Sequence, residues 1–118
     1  MDPWRDQVTN TRAERLFRAM EEIRREHGEM PAQVLATLMY IASHKNCHKQ
    51  ALEDALKMTT ASASRNTDWL SDSHRIPGKT GMGLIIKERD PSNQRRYQLK
   101  LSPKGERLMT SIMNILYD

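Results

Sequence analysis

Cysteine is close to absent from this chain. Cys47 stands alone among 118 residues, so no intrachain disulfide can form, and a reducing setting, the cytosol, is expected. Long apolar runs are missing too. None approaches the roughly 18 to 20 residues that span a bilayer, so no membrane partner is expected. The opening MDPWRDQVTN carries acids and no apolar stretch, so no secretory signal is read there. Catalytic signatures are also lacking. There is no HExxH and no paired-carboxylate motif, and GKTGMG at residues 78–83 lacks the Walker spacing. Ser71, Asp72, Ser73 and His74 are residue types of a hydrolase triad, but such a triad is a geometry between distant segments, not a run of neighbours. His44, Cys47 and His48 have neither a recognised ligand spacing nor an evident fourth ligand, so no metal and no cofactor is expected. The chain is read as a non-enzyme.

What the chain does have is charge. Asp, Glu, Lys and Arg make up 29% of it, with a net +4, a balance that favours an anionic partner, nucleic acid above all. The length of 118 residues fits a single domain, 1–118. No internal repeat or low-complexity tract is present.

Apolar periodicity orders the chain. Leu16, Phe17, Met20 and Ile23 recur on one face of a predicted helix over residues 11–27. A second helix opens with Pro31 at its first position, and Val34, Leu35, Leu38, Met39 and Ile41 leave it little polar surface, which marks a core helix. Residues 48–73 read as two short helices meeting at a tight turn. Ala51, Leu52, Ala55 and Leu56 are expected inward on the first, and Ala63, Thr67 and Leu70 on the second. Thr59 or Thr60 can cap the second. Lys57 sits where such turns often use glycine and would need a left-handed backbone. Residues 84–101 read as a β-hairpin, with Leu84 and Ile86 on one face of the first strand and Tyr97, Leu99 and Leu101 on one face of the return. A last helix over 103–117 is capped by Ser102, with Glu106 placed to help, and carries Leu108, Ile112, Ile115 and Leu116. The expected architecture is mainly α with a small β-hairpin: a winged helix-turn-helix with flanking N- and C-terminal helices.

At Gly83-Leu84-Ile85, Asp90-Pro91-Ser92-Asn93-Gln94-Arg95 and Leu101-Ser102-Pro103-Lys104-Gly105 the sequence resembles the MarR family of bacterial winged-helix regulators. The family shows a Gly-Leu-Ile lead-in, an Asp-Pro-x-Asp-x-Arg wing and a Leu-Thr-Pro-Lys-Gly-like start to the next helix. The resemblance spans residues 31–108. The second wing acid, which in the family helps hold the wing arginine, is Asn93 here. The resemblance implies a dimeric regulator that binds double-stranded DNA in the cytoplasm of a bacterial or phage-infected cell, at the nucleoid. Repression by blocking promoter access is the expected mode, and a small-molecule effector is left open.

Candidate DNA contacts are Thr60, Ser62, Ser64 and Arg65 on the recognition helix, Arg75 and Lys79 in the following loop, and Lys87, Arg89, Arg95 and Arg96 on the wing. Small hydroxyls at a helix N-terminus approach phosphates closely, and Arg65 can reach guanine at two points. Asp68 would pair with a cation, meet a base or lie off the contact, and Trp69 is expected under the 74–83 loop. Strand alternation lets only one of Arg95 and Arg96 point outward. Arg95 is the choice for a minor groove, whose narrow form concentrates negative potential. Against this stands a plain reading, in which charged residues keep a surface helix soluble and blunt a sheet edge. The apolar stripes Leu16, Phe17, Met20, Ile23 and Leu108, Ile112, Ile115, Leu116 are candidates for dimerisation, for closing one monomer's core, or for both. Two alternatives differ in class: a winged-helix protein-protein adaptor or inhibitor, and an architectural or replication DNA binder with little sequence preference.

Overall fold

The computed structural model describes residues 7–72 and 81–118. Element order is α1 (Thr11–Glu26), α2 (Ala32–Ala42), β1 (Cys47–His48), α3 (Lys49–Leu56), α4 (Thr60–Leu70), β2 (Ile85–Asp90), β3 (Asn93–Leu101) and α5 (Pro103–Tyr117). The three strands form one antiparallel sheet in the order β1-β3-β2. This is the winged helix-turn-helix expected, with one addition, the two-residue β1, whose His48 stands where the sequence predicts the start of a helix.

Local chemistry explains where the helices begin. The Asn10 side chain accepts from Ala13 N at 2.9 Å and starts α1. Thr59 does the same for α4, accepting from Ser62 N at 3.1 Å. Ser102 starts α5, accepting from Gly105 N at 3.0 Å. The expected help from Glu106 is replaced by another partner, because Ser102 N donates to the Leu84 carbonyl at 3.0 Å. Pro31 lies one position earlier than predicted, as the residue before α2 rather than its first. Between α3 and α4, Lys57 does adopt the left-handed conformation, φ 51 and ψ 47, which a β-carbon disfavours.

Leu38, Ile41, Leu52, Leu70, Leu84 and Leu99 are fully buried and join α2, α3, α4 and the sheet in one core. On α3 the inward side is narrower than predicted: Leu52 is buried and Leu56 half-buried, while Ala51 and Ala55 face solvent. Burying a leucine side chain is worth roughly 1.5–3 kcal/mol, so α3 is held chiefly by Leu52.

Residues 81–84 carry the chain from α4 to the wing as a tied segment. Met82 N donates to the Trp69 carbonyl at 2.8 Å and Leu84 N to the Leu70 carbonyl at 2.7 Å. The Ser102 hydroxyl donates to the Gly83 carbonyl at 2.6 Å. Gly83 takes φ +70, a conformation that a side chain would strain. Gly105 lets α5 approach the Leu84 carbonyl, where a β-carbon would collide. The wing is thereby fixed to the end of α4 and the start of α5.

Helices α1 and α5 pack antiparallel. Arg15 Nη1 donates to the Leu116 carbonyl at 3.3 Å at one end, and Lys104 faces Glu26 at 3.7 Å at the other. Ala19, Ile23, Leu108 and Ile112 are buried between them and the core. The α1 stripe is rotated from the predicted one, because Leu16 and Phe17 stay 50% and 60% exposed while Ala19 takes the buried place.

Candidate nucleic-acid interface

Helix α4 has 11 residues and is roughly 16 Å long at 1.5 Å per residue, a rod that fits a major groove about 12 Å wide. Ala63, Asn66, Thr67 and Leu70 are buried, so Ala61 and Arg65 face outward, with Thr60 also exposed and Ser62, Ser64 and Asp68 half-buried. Asn66 was not anticipated from the sequence. Its Nδ2 donates to Gln33 Oε1 at 3.2 Å and ties α4 to the start of α2. Arg65 Nη2 donates to Ser62 Oγ at 3.1 Å, and that oxygen also accepts from Thr59 Oγ1 at 3.1 Å. The Thr60 hydroxyl donates to Glu53 Oε1 at 2.8 Å, while Lys49 Nζ meets Glu53 Oε2 at 3.2 Å and the Thr60 carbonyl at 3.3 Å. The start of α4 is therefore locked onto α3.

The hairpin register corrects the predicted faces. Leu84 precedes β2; Ile85 pairs with Leu101, Lys87 with Leu99 and Arg89 with Tyr97, so Ile85 shares a face with Tyr97, Leu99 and Leu101, and Ile86 lies on the other. Lys87 lies on this inner face. Its Nζ reaches Asp68 Oδ1 and Thr67 Oγ1, both at 3.1 Å, and its side chain is only 14% exposed. Of the roles foreseen for Asp68, pairing with a cation is the one the structure displays. Arg89 stacks on the Tyr97 ring at 4.5 Å and donates to the Gln94 carbonyl at 2.8 Å. Both cations are engaged by the protein's own groups, the half-buried Lys87 joining the wing to α4 and the exposed Arg89 stiffening the wing.

A bulge changes the reading of the wing arginines. Arg89 faces Tyr97 and the next residue, Asp90, faces Asn93, so residues 94–96 have no opposite number on β2. Strict alternation fails there. Arg95 and Arg96 are both exposed, and both line one cleft of about 460 Å³. Across it stand Thr60 and Ser64 of α4 and His48, Lys49 and Gln50 at the start of α3. The place of the second wing acid is taken by local bonds: Asn93 Oδ1 accepts from Arg95 N at 3.1 Å. Asp90 Oδ1 accepts from Ser92 N and Ser92 Oγ, each at 2.8 Å. Bonds from the Ser92 backbone and hydroxyl, and from His48, hold the Asp90 carboxyl down at about 2, so it is ionised at any physiological pH.

Arg75 and Lys79 lie outside the described residues, as does most of the 74–83 loop expected over Trp69; Trp69 itself is 43% exposed. Burial raises the Cys47 thiol to about 11. Among the described residues no cluster of three or more His, Cys, Asp or Glu is placed to hold a metal, and no helix is long and apolar enough to cross a membrane.

Neither a family sequence model nor a curated protein sequence matches this chain. Solved structures do. The crystal structure of MarR superposes with a TM-score of 0.61 at 23% identity, over 87% of this chain and 70% of that one. A Staphylococcus aureus MepR–DNA complex gives a TM-score of 0.68 at 19% identity, over 87% and 76%. Reduced and overoxidized AbfR, each bound to DNA, give 0.61 at 16% identity. The fold is the MarR-type winged helix. Within this fold α4 and the β2–β3 hairpin stand side by side, and Arg95, Arg96, Thr60 and Ser64 border the cleft between them. The chain covers 66–76% of the length of these matched structures.

Proposed function

We propose that the protein is a sequence-specific, double-stranded DNA-binding transcriptional regulator that acts as a homodimer and represses by occupying promoter DNA. The observation that carries this reading is the cleft between α4 and the wing. A winged helix that sets α4 in the major groove and its wing at the adjacent minor groove must pass one sugar-phosphate strand between the two. The cleft supplies two arginines on one wall and two hydroxyl residues on the other, the groups that contact phosphate. Two fold neighbours, MepR and AbfR, were solved bound to DNA, which supports the same partner. Arg65, exposed on α4, is the residue assigned to base reading, braced by Ser62, which Thr59 holds in turn.

Dimerisation is assigned to the uncovered part of the α1–α5 pair. Of the eight stripe residues, Ile23, Leu108 and Ile112 are consumed within the monomer, and Met20, Ile115 and Leu116 are half-buried. Leu16 and Phe17 remain exposed, and Met113 and Tyr117, near the same end of the antiparallel pair, are 39% and 75% exposed. A two-fold dimer built there presents two α4 helices to one face of DNA and requires a palindromic site.

The test is equilibrium binding to duplex DNA at graded salt. Each neutralised phosphate steepens the log–log slope by about 0.9, so Arg95→Ala with Arg96→Ala is expected to lower the slope by roughly 1.8. Binding that ignores salt, or an unchanged slope in the double variant, contradicts the proposal.

A further inference from the structure

We propose that His48, through its bond to Asp90, is a positioning residue that clamps the wing bulge so that Arg95 and Arg96 both face the DNA cleft. The inference rests on the DNA-binding reading for its consequence, but the clamp itself stands on geometry. β1 and β2 are the two edge strands, with β3 between them. His48 is fixed at one edge by pairing with Gln98, and its Nε2 lies 2.8 Å from Asp90 Oδ2 at the far end of the other. The bond therefore reaches past the central strand, to the residue where the register breaks.

The direction of the bond is settled by chemistry. Asp90 is ionised and can only accept, so the His48 Nε2 must carry the proton and donate. With Ser92 on Oδ1 and His48 on Oδ2, both oxygens of this 4%-exposed residue are occupied. Without His48, a buried carboxylate oxygen loses its donor, and the shift of Asp90 toward water needed to replace it would move the base of the bulge. The bulge has few other ties to the helices. Asn93 and Gln94 bond within the wing itself, and Arg95 and Arg96 are exposed. The charged groups around His48 are Asp90 on β2, Arg95 and Arg96 on β3, and Lys49 and Glu53 on α3. Two further cations sit on the strand that the clamp holds, so its effect is one of placement rather than of adding charge.

Three variants test this: His48→Ala, His48→Gln, which keeps an N–H donor, and Arg95→Ala/Arg96→Ala as a second background. Two readouts are taken. Amide hydrogen exchange at Ser92 and Arg95 is expected to speed up about tenfold in His48→Ala and to return to within about threefold of the parent in His48→Gln, a tenfold change being that of one bond of this kind. Duplex DNA affinity is expected to fall about tenfold in His48→Ala, recover in His48→Gln, and change less than about twofold when His48→Ala is placed on the double-arginine background. Unchanged exchange in His48→Ala overturns the clamp, and so does an equal affinity loss in both backgrounds. Should His48→Ala fail to fold, His48→Met keeps the volume without the donor and carries the same comparisons. If the unaltered protein binds no duplex at any salt, the DNA reading fails, while the exchange measurement still decides the clamp.

Discussion

Replacing Lys87 with methionine tests how the wing is joined to α4. The methionine keeps most of the stem and removes the ammonium, which lies 3.1 Å from both Asp68 Oδ1 and Thr67 Oγ1. An exposed ion pair is worth about 0–1 kcal/mol, and removing one member of a fully buried pair costs about 3–5 kcal/mol. The Lys87 and Asp68 side chains are 14% and 18% exposed, nearer the buried limit, and Asp68 retains access to water. The expected loss is about 2 kcal/mol, or a drop of about 8 °C in Tm for a chain of this size. Urea unfolding of Lys87→Met, Asp68→Asn and the double variant measures it. The double variant should cost about 1 kcal/mol less than the sum of the singles, since the pair is lost only once. A single-variant loss below about 0.5 kcal/mol, or strict additivity, refutes the reasoning. The salt slope of DNA binding should stay unchanged in Lys87→Met, which separates this internal cation from Arg95 and Arg96.

Three further outcomes follow from local geometry. Lys57→Gly should stabilise the fold by about 1 kcal/mol, read by urea unfolding, because glycine relieves the left-handed conformation at φ 51. Cys47, buried and with its thiol raised to about 11 by burial, should react with a thiol reagent at neutral pH at least a hundredfold more slowly in the folded than in the unfolded chain. Acid should destabilise in two stages. Burial, then Lys104, lowers the His27 pKa against an opposing Glu26, so the unfolded chain binds that proton first and stability begins to fall as pH drops through the ordinary histidine range. Asp90 is depressed from 3.8 to about 2, so its contribution is complete above the first value and is lost as pH falls through the second. Thermal unfolding of His27→Gln and Asp90→Asn against pH separates the two stages.

The sequence was most readable where periodicity and caps act locally. The bounds Thr11–Glu26 and Pro103–Tyr117 lie within a residue of those expected, because Asn10 and Ser102 cap at the positions where polar residues precede apolar stripes. Lys57 was legible for the same reason, since a turn of that length needs one left-handed residue. What escaped was non-local. A two-residue strand such as β1 has no period to detect, so nothing in the sequence marks that His48 reaches Asp90. Lys87 is a candidate DNA contact by its charge, yet it turns inward to Asp68 and Thr67 because the pairing register sets it opposite Leu99. Arg95 and Arg96 were separated by an alternation that the bulge cancels. Pairing register, not residue type, decides all three.

Selection of bound sequences from a random duplex DNA pool tests the central claim most directly. A dimeric, sequence-reading winged helix predicts enrichment of a two-fold symmetric site whose half-sites lie about 10–10.5 base pairs apart or a multiple of that. Arg65→Ala should blur one position in each half-site, at a cost of about 1–3 kcal/mol in discrimination. A pool that emerges no different from the one that went in, with α4 and the wing intact, would contradict the account.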